Sequence, residues 1–114
     1  MQPFINQRGE IFVEKLIYSF PASKTIEQPA HVGVVGSGDL EILVEPSDDN
    51  KTVFEIRTGI TGFQDTWEKV IERFVSQNDI SALIRINDFG ATPGVVSIRL
   101  AQAVEVSTNG ANHN

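Results

Sequence analysis

The sequence predicts an α+β domain: an antiparallel or mixed sheet of about five to six strands, with one main amphipathic helix packed on one face. Three observations carry the prediction. Apolar and polar residues alternate through several runs of strand length, one longer segment repeats its apolar residues at helical spacing, and short connections rich in Gly, Pro, Asn and Asp lie between them. At 114 residues, 40% hydrophobic and 21% charged, the chain suits one domain with a buried core.

Residues 14–20 read as the first strand, because Leu16, Tyr18 and Phe20 alternate with Lys15, Ile17 and Ser19 before Pro21 ends the run. Residues 22–30, with Pro29 and small or polar side chains, read as a connection. A second strand over 31–36 puts Val32 and Val34 on one face, and a third over 39–45 does the same with Leu40, Ile42 and Val44. Only Gly36-Ser37-Gly38 separates them, which is hairpin spacing, since glycine reaches the positive φ angles that tight turns between twisted strands require. Ser37 is therefore expected at an exposed tip. The turn signal Pro46-Ser47-Asp48-Asp49-Asn50 leads into a fourth strand over 52–58, with Phe54 and Ile56 inward, which is expected to extend the same meander.

Phe63, Trp67, Val70, Ile71 and Phe74 form one apolar stripe at helical spacing, with Asp65, Glu68, Lys69, Glu72 and Arg73 facing water. Thr61 and Gln64 have the spacing of a capping box, and Asp65 and Glu68 place negative charge near the positive end of the helix dipole. Residues 81–87 read as a strand through Ala82, Ile84 and Ile86, and 95–103 as another through Val96, Ile98 and Leu100. Between them Asp88-Phe89-Gly90-Ala91-Thr92-Pro93-Gly94 reads as a loop of defined shape. The chain thus divides into an N-terminal extension over 1–14, a domain over 15–106 and a polar tail over 107–114.

Composition removes several functions. A net charge of −6 without basic clusters argues against nucleic acid, and the lack of cysteine excludes disulfides and any thiol chemistry supplied by the chain itself. No run has the length of a membrane span and residues 1–14 do not follow the order of a signal peptide, so the expectation is a cytoplasmic chain with no membrane partner. Gly36-Ser37-Gly38 lacks the spacing of a nucleophile elbow and the histidine base, since only His31 and His113 are present. The Gly33, Gly36, Gly38 cluster has the wrong order for a dinucleotide fingerprint, and Asp88-Phe89-Gly90 lacks the other parts of a kinase. Asp39, Glu41 and Glu45 read as a solvated strand face rather than a metal site.

Two strings go further: HVGVVGSGDLEILVE over 31–45 and NDFGATPGVVSIRL over 87–100. Together they resemble the delta subunit of malonate decarboxylase, the acyl carrier protein of that complex. The resemblance runs in order over residues 15–105. It implies that Ser37 is esterified to phosphoribosyl-dephospho-CoA, making the chain a phosphoprotein whose arm ends in a thiol. Gly36 and Gly38 would leave backbone room around the phosphodiester. Asp39, Asp88, Phe89, Gly90, Thr92 and Pro93 are the expected partner-recognition residues.

The implied partners are the acyl-transferase (alpha) and decarboxylase (beta and gamma) subunits, together with the transferase that loads Ser37. Acetyl thioester would exchange with malonate to give malonyl thioester and acetate, and decarboxylation on other subunits would restore the acetyl form. The chain itself would be a non-catalytic carrier, and its lack of cysteine agrees with an imported sulfur. Two alternatives stay open: the carrier of a citrate-lyase-like complex, and an unmodified protein-binding module in which Ser37 only closes a hairpin.

Overall fold

The computed structural model describes residues 4–5, 11–32 and 40–109. The elements are β1 (Phe4–Ile5), β2 (Ile11–Phe12), β3 (Glu14–Pro21), β4 (Ala30–Val32), β5 (Leu40–Pro46), β6 (Lys51–Thr58), α1 (Gln64–Gln77), β7 (Ala82–Asp88) and α2 (Pro93–Asn109). β1 and β2 pair with each other, and the remaining five strands form a mixed sheet in the order β3-β6-β7-β5-β4. All its pairings are antiparallel except β6 with β7. Parallel neighbours need a crossover connection, and α1 provides it.

The alternation read from the sequence sorts the sheet into two faces. Leu40, Ile42 and Val44 of β5, Phe54 and Ile56 of β6, and Ala82, Ile84 and Ile86 of β7 are buried in one cluster with Trp67, Ile71 and Phe74 of α1. Val96, Leu100 and Ala103 of α2 complete that cluster, so both helices cover the same face. Phe54 meets Phe74 edge-on at 5.7 Å between ring centroids, a favoured aromatic geometry at the sheet–helix seam. The opposite face carries ion pairs instead: Glu41 with His31 at 2.9 Å, Glu45 with Arg85 at 2.8 Å and Glu55 with Arg57 at 2.6 Å.

Three expectations are corrected. Residues 95–103 are not a strand but the body of α2, where Val96, Leu100, Ala103 and Ser107 recur at helical spacing and are the buried residues. The β-branched side chains of Val95, Val96 and Ile98 give this helix a strand-like composition, yet Ile98, assigned to the inner face of a strand, is 61% exposed. The fourth strand does not extend a meander, because β7 is inserted between β5 and β6. Turn residues specify where a chain reverses, whereas the partner is settled by burial, and β7 alternates buried with half-buried residues along its whole length. The Thr61–Gln64 capping box is also absent: Phe63 holds the N-cap position without a side-chain bond, and the Gln64 amide donates to Glu14 at 3.3 Å.

The ends of the domain are integrated with it. Phe12 is fully buried and stacks on Phe89 at 5.3 Å, and α2 continues through Asn109, with Ser107 fully buried.

Candidate functional site

The register aligns Glu14, Thr58, Asp88 and Leu40 across one end of the sheet. Here the parallel strands β6 and β7 finish, and the chain turns into α1 and α2. In open α/β sheets the space beyond the carboxyl ends of parallel strands is where ligands bind, because the loops diverge there. The segment 33–39, which holds Gly36, Ser37, Gly38 and Asp39, joins β4 to β5 at this same end, since Leu40 is the strand partner of Asp88. Those four candidate residues lie outside the described residues.

Asp88 is organised before anything else at this end. Its carboxylate is buried and accepts from the Thr58 hydroxyl at 2.8 Å and from the amides of Gly90 and Ala91 at 3.0 and 2.9 Å. Its carbonyl accepts from the Gly59 amide at 3.0 Å, and the Thr58 hydroxyl accepts from the Ile60 amide at 3.1 Å. A short acidic side chain that bonds amides two and three residues ahead folds a turn, and here it also ties the loop after β7 to the loop after β6. Gly90 carries φ of 125°, a region that glycine tolerates and other residues resist.

The remaining candidates of this loop have defined places. Phe89 stacks on Phe12, the Thr92 hydroxyl accepts from the Val95 amide at 3.3 Å, and Pro93 is the first residue of α2. A threonine cap followed by proline in the first helical position is a helix start, because that proline lacks only an N–H that would be unpaired there anyway.

Between the two loops lies a groove of about 320 Å³. Ile60, Phe63, Trp67, Ala91, Pro93 and Val96 make it predominantly apolar, with Thr66, Thr92 and Asp88 as polar edges. Ile60 and Phe63 are 38% and 49% exposed, so the rim offers large apolar side chains to solvent. Four of the residues singled out from sequence, Asp88, Gly90, Thr92 and Pro93, line this groove, while Phe89 does not. Ile60, Ala91 and Val96 were not anticipated as lining, and Phe63 and Trp67 read as core. The parallel β6-α1-β7 crossover that brings them together leaves no local mark in the sequence. One turn along α2 from Val96, Arg99 donates to the Leu40 carbonyl at 3.3 Å, where β5 begins.

Fold and site define a small two-layer α+β domain whose binding features gather where two crossover-linked strands end. Comparison with known proteins narrows this class to one family. The family model for the malonate decarboxylase delta subunit (MdcD) matches residues 27–107. A malonate decarboxylase acyl carrier protein of Azotobacter vinelandii is 43% identical over 98 residues, covering 85% of this chain and 99% of that protein. One from Stutzerimonas stutzeri is 44% identical over 94 residues, covering 82% and 95%. A chain in the crystal structure of a Pseudomonas malonate decarboxylase hetero-tetramer in complex with malonate superposes with a TM-score of 0.74 at 45% identity, over 82% of this chain and 97% of that one. The chain belongs to the malonate decarboxylase delta subunit family. Among its described residues, no helix is long and apolar enough to cross a membrane.

Proposed function

We propose that this chain is the acyl carrier subunit of a malonate decarboxylase assembly and that Ser37 is the attachment point for phosphoribosyl-dephospho-CoA. The observation that carries the reading is the match to the family over 27–107, a span that contains Ser37. The antiparallel β4–β5 pairing supports it: Val32 lies opposite Ile42, and Ser37 is equidistant in sequence from both. Gly36 and Gly38 flank the hydroxyl with residues that crowd a phosphodiester least.

When attached, the group would supply a terminal thiol able to carry an acyl unit, with Ser37 as the residue that would hold it. The chain has no cysteine to provide that sulfur. The sheet end fits such a group, since the groove beside it is apolar and its one carboxylate, Asp88, is already held by three donors. The chain's own contribution is mechanical: Ser37 anchors the arm, the sheet presents the anchor, and tethering keeps the acyl group at high effective concentration for the acyl-transferase and decarboxylase subunits. Gly36, Gly38 and Asp39 beside the anchor, with Phe89 and its neighbours across the sheet end, form the surface those subunits and the loading transferase would read.

Intact-mass spectrometry of the native chain, with peptide mapping across Ser37 and a Ser37→Ala control, tests the proposal. The expected result is an excess equal to phosphoribosyl-dephospho-CoA on the Ser37 peptide, absent from the control. Unmodified protein from cells with an active complex would instead leave a protein-binding module. An excess of that mass combined with turnover of citrate rather than malonate would transfer the chain to a citrate-lyase-like assembly.

A further inference from the structure

We infer that the groove between the β6–α1 and β7–α2 loops holds the uncharged, thiol-bearing end of the prosthetic arm in its free-thiol and acetyl forms and rejects it in the malonyl form. The inference rests on the carrier reading above and adds a resting site for the arm.

Position is the first argument. Asp88 lines the groove and is the strand partner of Leu40, while Arg99 bonds the Leu40 carbonyl from the helix that also supplies Val96. Neighbouring strands lie roughly 4.8 Å apart, so the groove begins about one strand spacing from Leu40, the first described residue after Ser37. Size is the second. At about 320 Å³ the groove is at the small end of ligand pockets, which span roughly 300–1,000 Å³, and it suits a slim flexible chain better than a protein surface.

Chemistry is the third argument, and it supplies the selectivity. Ile60 and Phe63 stand partly in water, and covering them with a methylene and thioester chain removes apolar surface from solvent. No Lys, Arg or His is among the described residues that line the groove. An acetyl thioester or a free thiol enters such a site without burying charge. A malonyl thioester ends in a free carboxylate, which would lose its water, meet no cation among the described lining residues and lie in the same groove as the Asp88 carboxylate. The arm would therefore leave the groove when malonyl is loaded, which is when a decarboxylase must reach it.

Because the chain has no cysteine, the arm carries the sole thiol of the loaded protein, and a thiol reagent such as 5,5′-dithiobis(2-nitrobenzoate) reads the arm alone. Intact mass first establishes loading of the full-length chain. The expected result is that the thiol reacts about fivefold more slowly than in the loaded peptide cut from the same protein, as for an arm docked about four fifths of the time. Ala91→Phe, which fills the groove, and Phe63→Glu, which charges its rim, should each restore the peptide rate, with folding checked by circular dichroism. Amide resonances of Ile60, Ala91 and Val96 should shift between unloaded and acetyl forms but not between unloaded and malonyl forms. A loaded chain whose thiol reacts at the peptide rate, with those resonances unmoved, overturns the inference and leaves the carrier reading intact. Protection that arises only when other subunits are added also overturns it and gives the groove to a protein partner. A chain without added mass sinks both readings.

Discussion

The two ends of the sheet use polar side chains in opposite ways. At the end where β7 begins, they close the structure. The Ser81 amide donates to the Lys24 carbonyl at 2.6 Å, its hydroxyl donates to Ser47 O at 2.7 Å, and the Thr52 hydroxyl donates to the carbonyl of Ile80. Side chains also bond carbonyls in the last turn of each helix here: Asn78 donates to Phe74 O at 3.0 Å, and Gln28 donates to Val106 O at 3.0 Å. At the end where β7 finishes, polar bonding is concentrated on Asp88, and beside it apolar side chains are left open as a groove. Stability is built at one end and access at the other, and Asp88 is what allows both loops of the open end to keep their shape.

Replacing Asp88 with alanine tests that comparison most severely, since it leaves one hydroxyl and two amides without their acceptor in a buried place. The expected loss is about 3 kcal/mol, read as a fall of about 10 °C in the thermal midpoint. Asp88→Asn keeps an oxygen for the two amides and should lose less than half as much. An alanine variant that melts with the wild type would show that Asp88 does not organise the open end.

At the closed end, Thr52→Val conserves shape but deprives the Ile80 carbonyl of its donor, and should cost about 1–2 kcal/mol in a denaturant titration. Phe63→Ala at the groove rim removes a side chain that is half in water, so its effect on stability should stay within about 1 kcal/mol. A loss as large as that of Asp88→Ala would make the groove wall part of the core.

The smallest effect belongs to the Ser23–Asp79 contact of the closed end. The Ser23 hydroxyl, and then its amide at 2.7 Å, hold the Asp79 carboxyl below its ordinary value of 3.8. A group depressed in the folded state adds stability that is complete above its unfolded value and disappears as pH falls through its folded value. The NMR titration of Asp79 should therefore move upward in Ser23→Ala, and the acid limb of unfolding should begin at slightly higher pH. An unchanged Asp79 titration would mean that the contact does not persist in solution.

Much of this architecture is legible locally. The strands over 14–20, 52–58 and 81–87 follow from alternation, and the helix over 64–77 from a stripe whose Trp67, Ile71 and Phe74 are buried. α2 was misread because Val96, Ile98 and Leu100 alternate as in a strand while Val96, Leu100, Ala103 and Ser107 repeat as in a helix. Thr92-Pro93 carried the signal that separates the two patterns. The glycine, threonine and proline of the 88–93 loop were recognisable as special, but their first duty is to turn the chain and start a helix.

The sequence by itself determined the α+β class, the inward face of each long strand and of the first helix, and the family, and it singled out Ser37 from its Gly-Ser-Gly setting. These properties depend on residue spacing and on motifs contiguous in the chain, which is where local sterics and hydrophobic periodicity act. Tertiary structure alone decided that β7 separates β5 from β6, that Asp88 serves as a shared anchor for two loops, and that Ile60, Phe63, Ala91 and Val96 line one groove. Those outcomes join residues some thirty positions apart, and they depend on burying apolar side chains of β7 between two neighbouring strands and beneath the helices.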